Sequence, residues 1–124
     1  MKVLLVDDSA MIRMILKGLL KQMGVEQTEE APDGAAALEK LNLAQPDLLL
    51  MDIHMPKLTG LQVLEQLSHH ETLSKLPVII VSSDTEPAQL EHARKLGARA
   101  IIHKPFRVEG LRDAMAQCGL KPPK

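Results

Sequence analysis

The chain has 124 residues, of which 45% are hydrophobic and 25% charged, and its formal net charge is −1. These values are typical of one globular domain, and no apolar stretch is long enough to cross a bilayer. Phe106 is the only aromatic residue, which together with the near-zero charge argues against direct nucleic-acid binding. Cys118 is the only cysteine, so no internal disulfide can form. Since no secretory leader pattern opens the sequence, we expect a cytoplasmic protein without a membrane anchor.

The first half of the chain alternates between strand-like and helix-like patterns. Short apolar runs predict strands, and apolar residues three or four apart predict helices. In chain order, these patterns predict strand 2–6, helix 11–23, strand 27–31, helix 34–41 and strand 48–51. Ser9 is suited to N-cap the first helix. The inward stripe of that helix is predicted to consist of Ile12, Ile15, Leu16, Leu19 and Met23.

The second half continues the alternation after a loop at 55–60. Its predicted elements are helix 61–67, a polar connection at 68–76, strand 77–81, a helix ending at Leu96, strand 98–103 and helix 108–117. Asp84 or Thr85 is predicted to cap the fourth helix, which tolerates Pro87 in its first turn. The methionines are predicted to fill the core.

The strands are continuous apolar runs, which predicts that both faces of the sheet are buried. Strands of this kind separated by helices predict a parallel sheet between two helical layers, the α/β class. We expect residues 1–120 to form one domain, followed by a short tail at 121–124.

Polar residues stand where four of the predicted strands end. Asp7 and Asp8 follow the first strand, Asp52 follows the third, Ser82 the fourth and Lys104 the fifth. The carboxyl ends of parallel strands meet at one edge of a sheet, which is where open α/β proteins place their sites. Because an acid cluster without a Cys or His motif favours a hard cation, we expect Mg²⁺ there. The alternative for Asp7 or Asp8 is that one of them only caps the first helix.

Asp52 follows the most apolar strand and is a candidate nucleophile toward phosphorus, which would give an aspartyl-phosphate. Lys104 supplies a positive charge for phosphate oxygens, and the hydroxyl of Ser82 can donate to one of them. Each of these residues alone has an ordinary structural explanation, but the combination predicts a phosphoryl site.

Four motifs resemble those of response-regulator receiver domains, the CheY-like family. They are Val-Asp7-Asp8-Ser, Met-Asp52-Ile-His-Met-Pro56, Val-Ser82-Ser and His-Lys104-Pro105-Phe106, in the order and spacing of that family. The resemblance covers roughly residues 2–119. It implies a flavodoxin-like three-layer sandwich with five helices and a five-stranded parallel sheet in the order 2-1-3-4-5.

The resemblance also implies a role for each residue of the site. Asp52 would accept a phosphoryl group from a phosphohistidine. Asp8, Asp52 and the backbone carbonyl of His54 would bind Mg²⁺, and Asp7 would act through water. Lys104 and Ser82 would contact the phosphoryl oxygens, and Ser82 would begin the conformational switch. In this family the peptide bond that follows Lys104 is often cis.

The implied partners are a sensor histidine kinase or phosphotransfer protein and a downstream target. The target would bind the face formed by the fourth helix, the fifth strand and the fifth helix. The protein would be a switch rather than an enzyme, a chemotaxis-type or other single-domain regulator, and a monomer or weak dimer. No direct contact with nucleic acid or membrane is expected.

The sequence departs from the family pattern near the site. Ile101 stands where many members have an aromatic residue that takes part in the conformational switch. Any coupling between this position and Ser82 must therefore come from repacking of an aliphatic side chain. Ser83 replaces a usual Ala or Gly, which narrows access to the phosphoryl site. His54 and Asp84 occupy variable positions beside the site.

Two other classes of protein share parts of this pattern. A flavodoxin-like flavin binder, or a small hydrolase, would have the same architecture. However, Asp7 and Asp8 would repel a flavin phosphate, and neither Trp nor Tyr is present to stack on the ring. No Gly-x-Ser-x-Gly elbow is present either. A receiver that works without phosphorylation is the other alternative, although all five site residues are intact.

Overall fold

The computed structural model describes residues 1–83 and 86–124. Five parallel strands form one sheet in the order β2-β1-β3-β4-β5. The strands are β1 (Lys2–Val6), β2 (Gln27–Ala31), β3 (Leu48–Met51), β4 (Val78–Ser82) and β5 (Ala100–His103). This sheet order confirms the topology that the family resemblance implied.

Five α-helices alternate with the strands and cover both faces of the sheet. They are α1 (Ala10–Gln22), α2 (Gly34–Leu43), α3 (Gly60–Ser68), α4 (Pro87–Lys95) and α5 (Val108–Gln117). Side chains of α1 and α5 pack in one buried cluster, whereas those of α2, α3 and α4 pack in the other. The protein is therefore a three-layer sandwich, as predicted.

The two clusters explain why the central strands are continuously apolar. Successive side chains of a strand point to opposite faces of the sheet. Leu48 and Leu50 accordingly pack with α1 and α5, whereas Leu49 and Met51 pack with the other three helices. Every residue of β3 is buried, so each must be apolar for its face to be stable.

The predicted inward stripe of α1 was partly wrong. Ile15 is 44% exposed, whereas Leu20, which the stripe omitted, is fully buried. Two methionines of the same helix, Met11 and Met14, are 66% and 67% exposed, so the prediction that the methionines fill the core fails for them. The rotation of α1 on the sheet determines which side chains are buried, and this rotation is set by packing against α5 and the strands.

The predicted start of β5 also shifts, from residue 98 to Ala100. Gly97 has a φ of +118°, and the Ala98 N–H donates to the carbonyl of Ala93 at 3.0 Å. Ala98 therefore closes the end of α4 instead of joining the sheet. The predicted caps of α4, Asp84 and Thr85, lie outside the described residues.

The connection after α3 is more regular than its polar composition indicated. A short 3₁₀ helix, Leu73–Lys75, buries Leu73, and the Nδ1 atom of His70 accepts hydrogen bonds from the backbone of Thr72 and Leu73. The histidine thus satisfies backbone donors that the short helix leaves open.

The last residues of the chain pack back onto the end of α1. The Lys124 N–H donates to the carbonyl of Met23 at 2.8 Å, and the Arg112 guanidinium donates to the carbonyl of Lys124 at 2.6 Å. Gly24, with a φ of +84°, leaves room for Pro123 beside it. Within the described part of the chain, no helix is long and apolar enough to cross a membrane.

Candidate functional site

Parallel pairing brings the predicted polar residues to one edge of the sheet. Val6 of β1 is in register with Met51 of β3, so Asp7 and Asp52, which follow them, leave the sheet side by side. On the other side of β3, Ser82 of β4 is in register with His103 of β5, which precedes Lys104. The structure therefore brings Lys104 into direct contact with both Asp7 and Asp52.

Lys104 lies between two carboxylates. Its Nζ atom is 3.1 Å from Asp7 Oδ2 and 3.1 Å from Asp52 Oδ2. Burial by itself would lower the pKa of Lys104, but its hydrogen bonds and attraction to Asp7 and Asp52 raise the pKa above the usual 10.5. Lys104 is therefore a permanent cation at this edge. The peptide bond between Lys104 and Pro105 is cis.

The loop from Asp7 to Ser9 holds the two acids in different environments. Asp7 is 1% exposed, and its Oδ1 atom accepts a hydrogen bond from the Ser9 backbone at 2.9 Å. Burial raises the pKa of Asp7 above its usual 3.8, and the contacts with Ser9 and Lys104 offset this only in part. Asp8 is exposed. The N-cap of α1 is Ser9, whose hydroxyl accepts from Ile12, so helix capping does not explain either acid.

Asp52 is held by the loop that leads into α3. Its Oδ1 atom accepts from the Ile53 backbone at 2.7 Å, and the Gly60 N–H donates to the Ile53 carbonyl at 2.7 Å. A Cβ atom at Gly60 would collide with the carbonyl oxygen of Asp52 and lie 2.9 Å from Ile53 Cα. Only glycine lets the start of α3 come this close, so Gly60 fixes the backbone that presents Asp52.

The acid cluster fits a hard divalent cation. Asp7, Asp8 and Asp52 each offer a carboxylate oxygen, and these atoms lie within 4.8 Å of one another. The ligands are oxygens alone, and one of the three carboxylates is exposed to solvent, as suits an ion that retains several waters. One ammonium cannot neutralise three carboxylates, so the residual charge favours a further cation.

The remaining predicted residues lie around this cluster. Ser82 is fully buried at the end of β4, and its carbonyl accepts from the Lys104 N–H at 3.0 Å. Ile101 is half-buried against the cluster of α2, α3 and α4. Ser83 is exposed and His54 is exposed, whereas Asp84 lies outside the described residues.

Sequence reasoning missed one residue that contacts the site. The Arg13 guanidinium donates to the backbone carbonyl of Asp7 and also pairs with Glu30 of β2. The sequence did contain a signal for this contact, because Arg13 lies near the start of a helix that comes just after Asp7 and Asp8.

A doubly covered parallel sheet with an acid cluster and a lysine at its carboxyl edge defines the class of CheY-like receivers in two-component signalling. The chain matches the response regulator receiver domain family over residues 3–116. It therefore belongs to the response regulator receiver domain family.

Individual relatives support the same assignment. The chain is 36% identical to chemotaxis protein CheY of Pseudomonas aeruginosa over 113 residues, which cover 91% of each protein. Among solved structures, chemotaxis protein CheY4 of Vibrio cholerae aligns with a TM-score of 0.85 at 30% identity, covering 94% of this chain and 97% of that one. The receiver domain of NtrX from Brucella abortus aligns with a TM-score of 0.84 at 30% identity, covering 94% and 96%.

Proposed function

We propose that this receiver accepts a phosphoryl group on Asp52 and thereby switches its affinity for a partner. The position of Lys104 carries the proposal, because its ammonium lies 3.1 Å from Asp52 and from Asp7. A buried carboxylate held beside a fixed cation can admit the negative charge of a phosphoryl group. Phosphoryl transfer depends mainly on such positioning and charge neutralisation.

The transfer exchanges one phosphorus bond for another. A carboxylate oxygen of Asp52 attacks the phosphorus of a phosphohistidine, and the phosphorus–nitrogen bond breaks. The bonding electrons stay on the imidazole nitrogen, which takes up a proton, and Asp52 becomes an acyl phosphate. Lys104 then pairs with a phosphoryl oxygen. Hydrolysis of the acyl phosphate returns the switch slowly to its resting state, so the protein is a switch and not a turnover enzyme.

Mg²⁺ is the cation that the carboxylates suit best. Asp8 and Asp52 would hold it together with the backbone carbonyl of His54, and Asp7 would act through a water molecule. When bound, Mg²⁺ neutralises the carboxylates and the incoming phosphoryl oxygens. Asp7 keeps Lys104 in place through its own contact with the ammonium.

The phosphodonor is a sensor histidine kinase or a phosphotransfer protein, and we place its docking surface on α1. Met11, Met14 and Ile15 expose 66%, 67% and 44% of their surface on this helix. Exposed apolar groups at spacings of three and four share one face of a helix. Since Asp8 lies just before the same helix, a donor bound there is close enough to reach Asp52.

Ser82 would transmit the effect of phosphorylation from Asp52 to the rest of the domain. Its buried hydroxyl can turn toward a phosphoryl oxygen, and its carbonyl is already bonded to the backbone of Lys104. Movement of β4 would let Ile101 repack and would alter the face formed by α4, β5 and α5, where a downstream target binds. We propose a cytoplasmic location, which the single cysteine and a kinase partner favour.

Mass spectrometry tests the proposal directly. Incubation with a small acyl-phosphate donor and Mg²⁺ should add one phosphoryl group to the intact protein. Asp52→Asn should not be labelled, and EDTA should abolish labelling of the wild type. Wild-type levels of label on Asp52→Asn, or equal labelling in EDTA, would contradict the proposed acceptor or the proposed cation.

A further inference from the structure

Arg13 connects the edge strand β2 to the loop from Asp7 to Ser9 that carries the two acids. Its Nε atom lies 2.9 Å from Glu30 Oε1 on β2, and its Nη1 atom donates to the backbone carbonyl of Asp7 at 2.5 Å. The Arg13 side chain is only 15% exposed. The planar guanidinium can make both contacts at once because its donors point in fixed directions.

The Asp7 carbonyl belongs to the peptide that joins Asp7 to Asp8. The Asp7 side chain is held independently by Ser9 and Lys104. The backbone N–H of Asp7 donates to the Ala31 carbonyl at 3.2 Å. In the described part of the chain, no hydrogen bond or ion pair holds the Asp8 carboxylate. The direction of Asp8 therefore depends on the orientation of the Asp7–Asp8 peptide, which Arg13 holds.

We propose that Arg13 is a positioning residue, which aims the Asp8 carboxylate into the acid cluster by fixing the Asp7–Asp8 peptide. Glu30 in turn holds the guanidinium in place. This inference rests on the proposed Mg²⁺ site, because it assigns Arg13 a role in forming that site.

The direction in which Mg²⁺ affinity changes when Arg13 is replaced distinguishes a positioning role from a purely electrostatic one. A cation close to three carboxylates repels Mg²⁺, so removal of the Arg13 charge alone would tighten Mg²⁺ binding. Loss of a positioning contact has the opposite effect, because Asp8 would sample orientations that cannot bind. Residues that orient metal ligands typically contribute about 10-fold or more to affinity.

The chain supplies a matched control on the same helix. Lys17 Nζ lies 3.9 Å from the second carboxylate oxygen of Glu30, so Lys17→Gln removes one charge from the same network. Among the contacts described, Lys17 has none with Asp7. Arg13→Lys retains the charge but lacks the fork that bridges Glu30 and the Asp7 carbonyl.

Calorimetric Mg²⁺ titration of the full chain should show Arg13→Gln binding about 10-fold more weakly than wild type. Arg13→Lys should be intermediate, and Lys17→Gln should remain within about twofold of wild type, since an exposed charge is well screened. In EDTA, ¹⁵N relaxation should show greater mobility of the Asp8 amide in Arg13→Gln and no change in Lys17→Gln.

Equal or tighter Mg²⁺ binding by Arg13→Gln would overturn the inference. If Arg13→Gln does not fold, Arg13→Lys decides, and wild-type affinity in that variant would overturn it as well. A wild-type protein that binds no Mg²⁺ would instead refute the proposed cation. The Asp8 relaxation in EDTA would still test Arg13 in that case, and an unchanged Asp8 amide would overturn the positioning role.

Discussion

The ammonium of Lys104 lies 3.1 Å from the carboxylate of Asp52, although 52 positions separate the two residues in the chain. The same ammonium contacts Asp7 at the same distance. Lys104 is thus the counter-ion of the acid cluster, and under the proposed function it is also the cation that would pair with a phosphoryl group.

This dual role makes Lys104→Met act in opposite directions on two measurements. Mg²⁺ should bind about fivefold more tightly, because about 1 kcal/mol of repulsion between cations is removed. Phosphorylation by a small donor should become much slower, since no ammonium remains for the phosphoryl oxygens. Titration calorimetry and intact mass measure the two effects. Lys104→Arg, which retains the charge, is the control, and weaker Mg²⁺ binding by Lys104→Met would contradict the prediction.

Neutralising Asp8 should stabilise the metal-free protein. Asp8→Asn removes one of three clustered like charges, and we expect a gain of about 1 kcal/mol in the free energy of unfolding, limited by the exposure of Asp8. Addition of Mg²⁺ should stabilise wild type and leave Asp8→Asn unchanged. Urea unfolding in EDTA and in Mg²⁺ gives both values. If Asp8→Asn is less stable than wild type in EDTA, the Asp8 carboxylate stabilises the metal-free fold, contrary to this prediction.

The conformational switch should depend on Ser82 more than on Ile101. Ser82 can donate a hydrogen bond to a phosphoryl oxygen, whereas Ile101 can only repack. With beryllium fluoride as a phosphate mimic, amide shifts should spread from Ser82 through β5 in wild type. Ser82→Ala should bind the mimic with a much smaller spread, and Ile101→Val should resemble wild type. The reverse pattern would assign the coupling to Ile101.

Gly60 and Gly18 should respond oppositely to alanine. A Cβ atom at Gly60 meets the backbone of Asp52 and Ile53, so Gly60→Ala should destabilise by about 2 kcal/mol and slow the labelling of Asp52. Gly18 lies within α1, and apart from its chain neighbours and the adjacent helix backbone no atom lies within 4 Å of its Cβ position, so Gly18→Ala should stabilise by about 1 kcal/mol. Denaturant unfolding compares the two variants. Equal effects would show that the close approach at Gly60 is not required.

Asp33 should make the stability depend on pH. Its Oδ1 atom accepts from the Ala36 N–H at the start of α2, and this bond, aided by the Lys57 ammonium, lowers the pKa of Asp33 below the usual 3.8. Because the pKa is lowered in the folded state, the Asp33 carboxylate stabilises the protein at pH values above 3.8. This stabilisation is lost as the pH falls through the lowered pKa. Asp33→Asn should therefore melt below wild type at neutral pH.

The difference in melting temperature between Asp33→Asn and wild type should narrow at an acidic pH below that lowered pKa, where the wild-type carboxylate also becomes neutral. Thermal melts followed by circular dichroism at both pH values measure it. A difference that stays constant with pH would show that the charge of Asp33 does not contribute.

Local patterns in the sequence determined the elements of this protein and the residues at the strand ends. Continuous apolar runs such as 48–51 can only be buried on both faces, and a polar residue directly after such a run must lie at the edge of the sheet. The order of the strands came from the family resemblance, because periodicity carries no information about which strands are neighbours.

Tertiary structure alone decided the rotation of α1, which buries Leu20 and exposes Ile15. It also decided that Lys104 bridges Asp7 and Asp52, and that Arg13 reaches the Asp7 carbonyl. The physical reason is the same in each case. Helical spacing defines a stripe only to within a residue or so, and contacts between side chains of distant elements depend on how those elements pack.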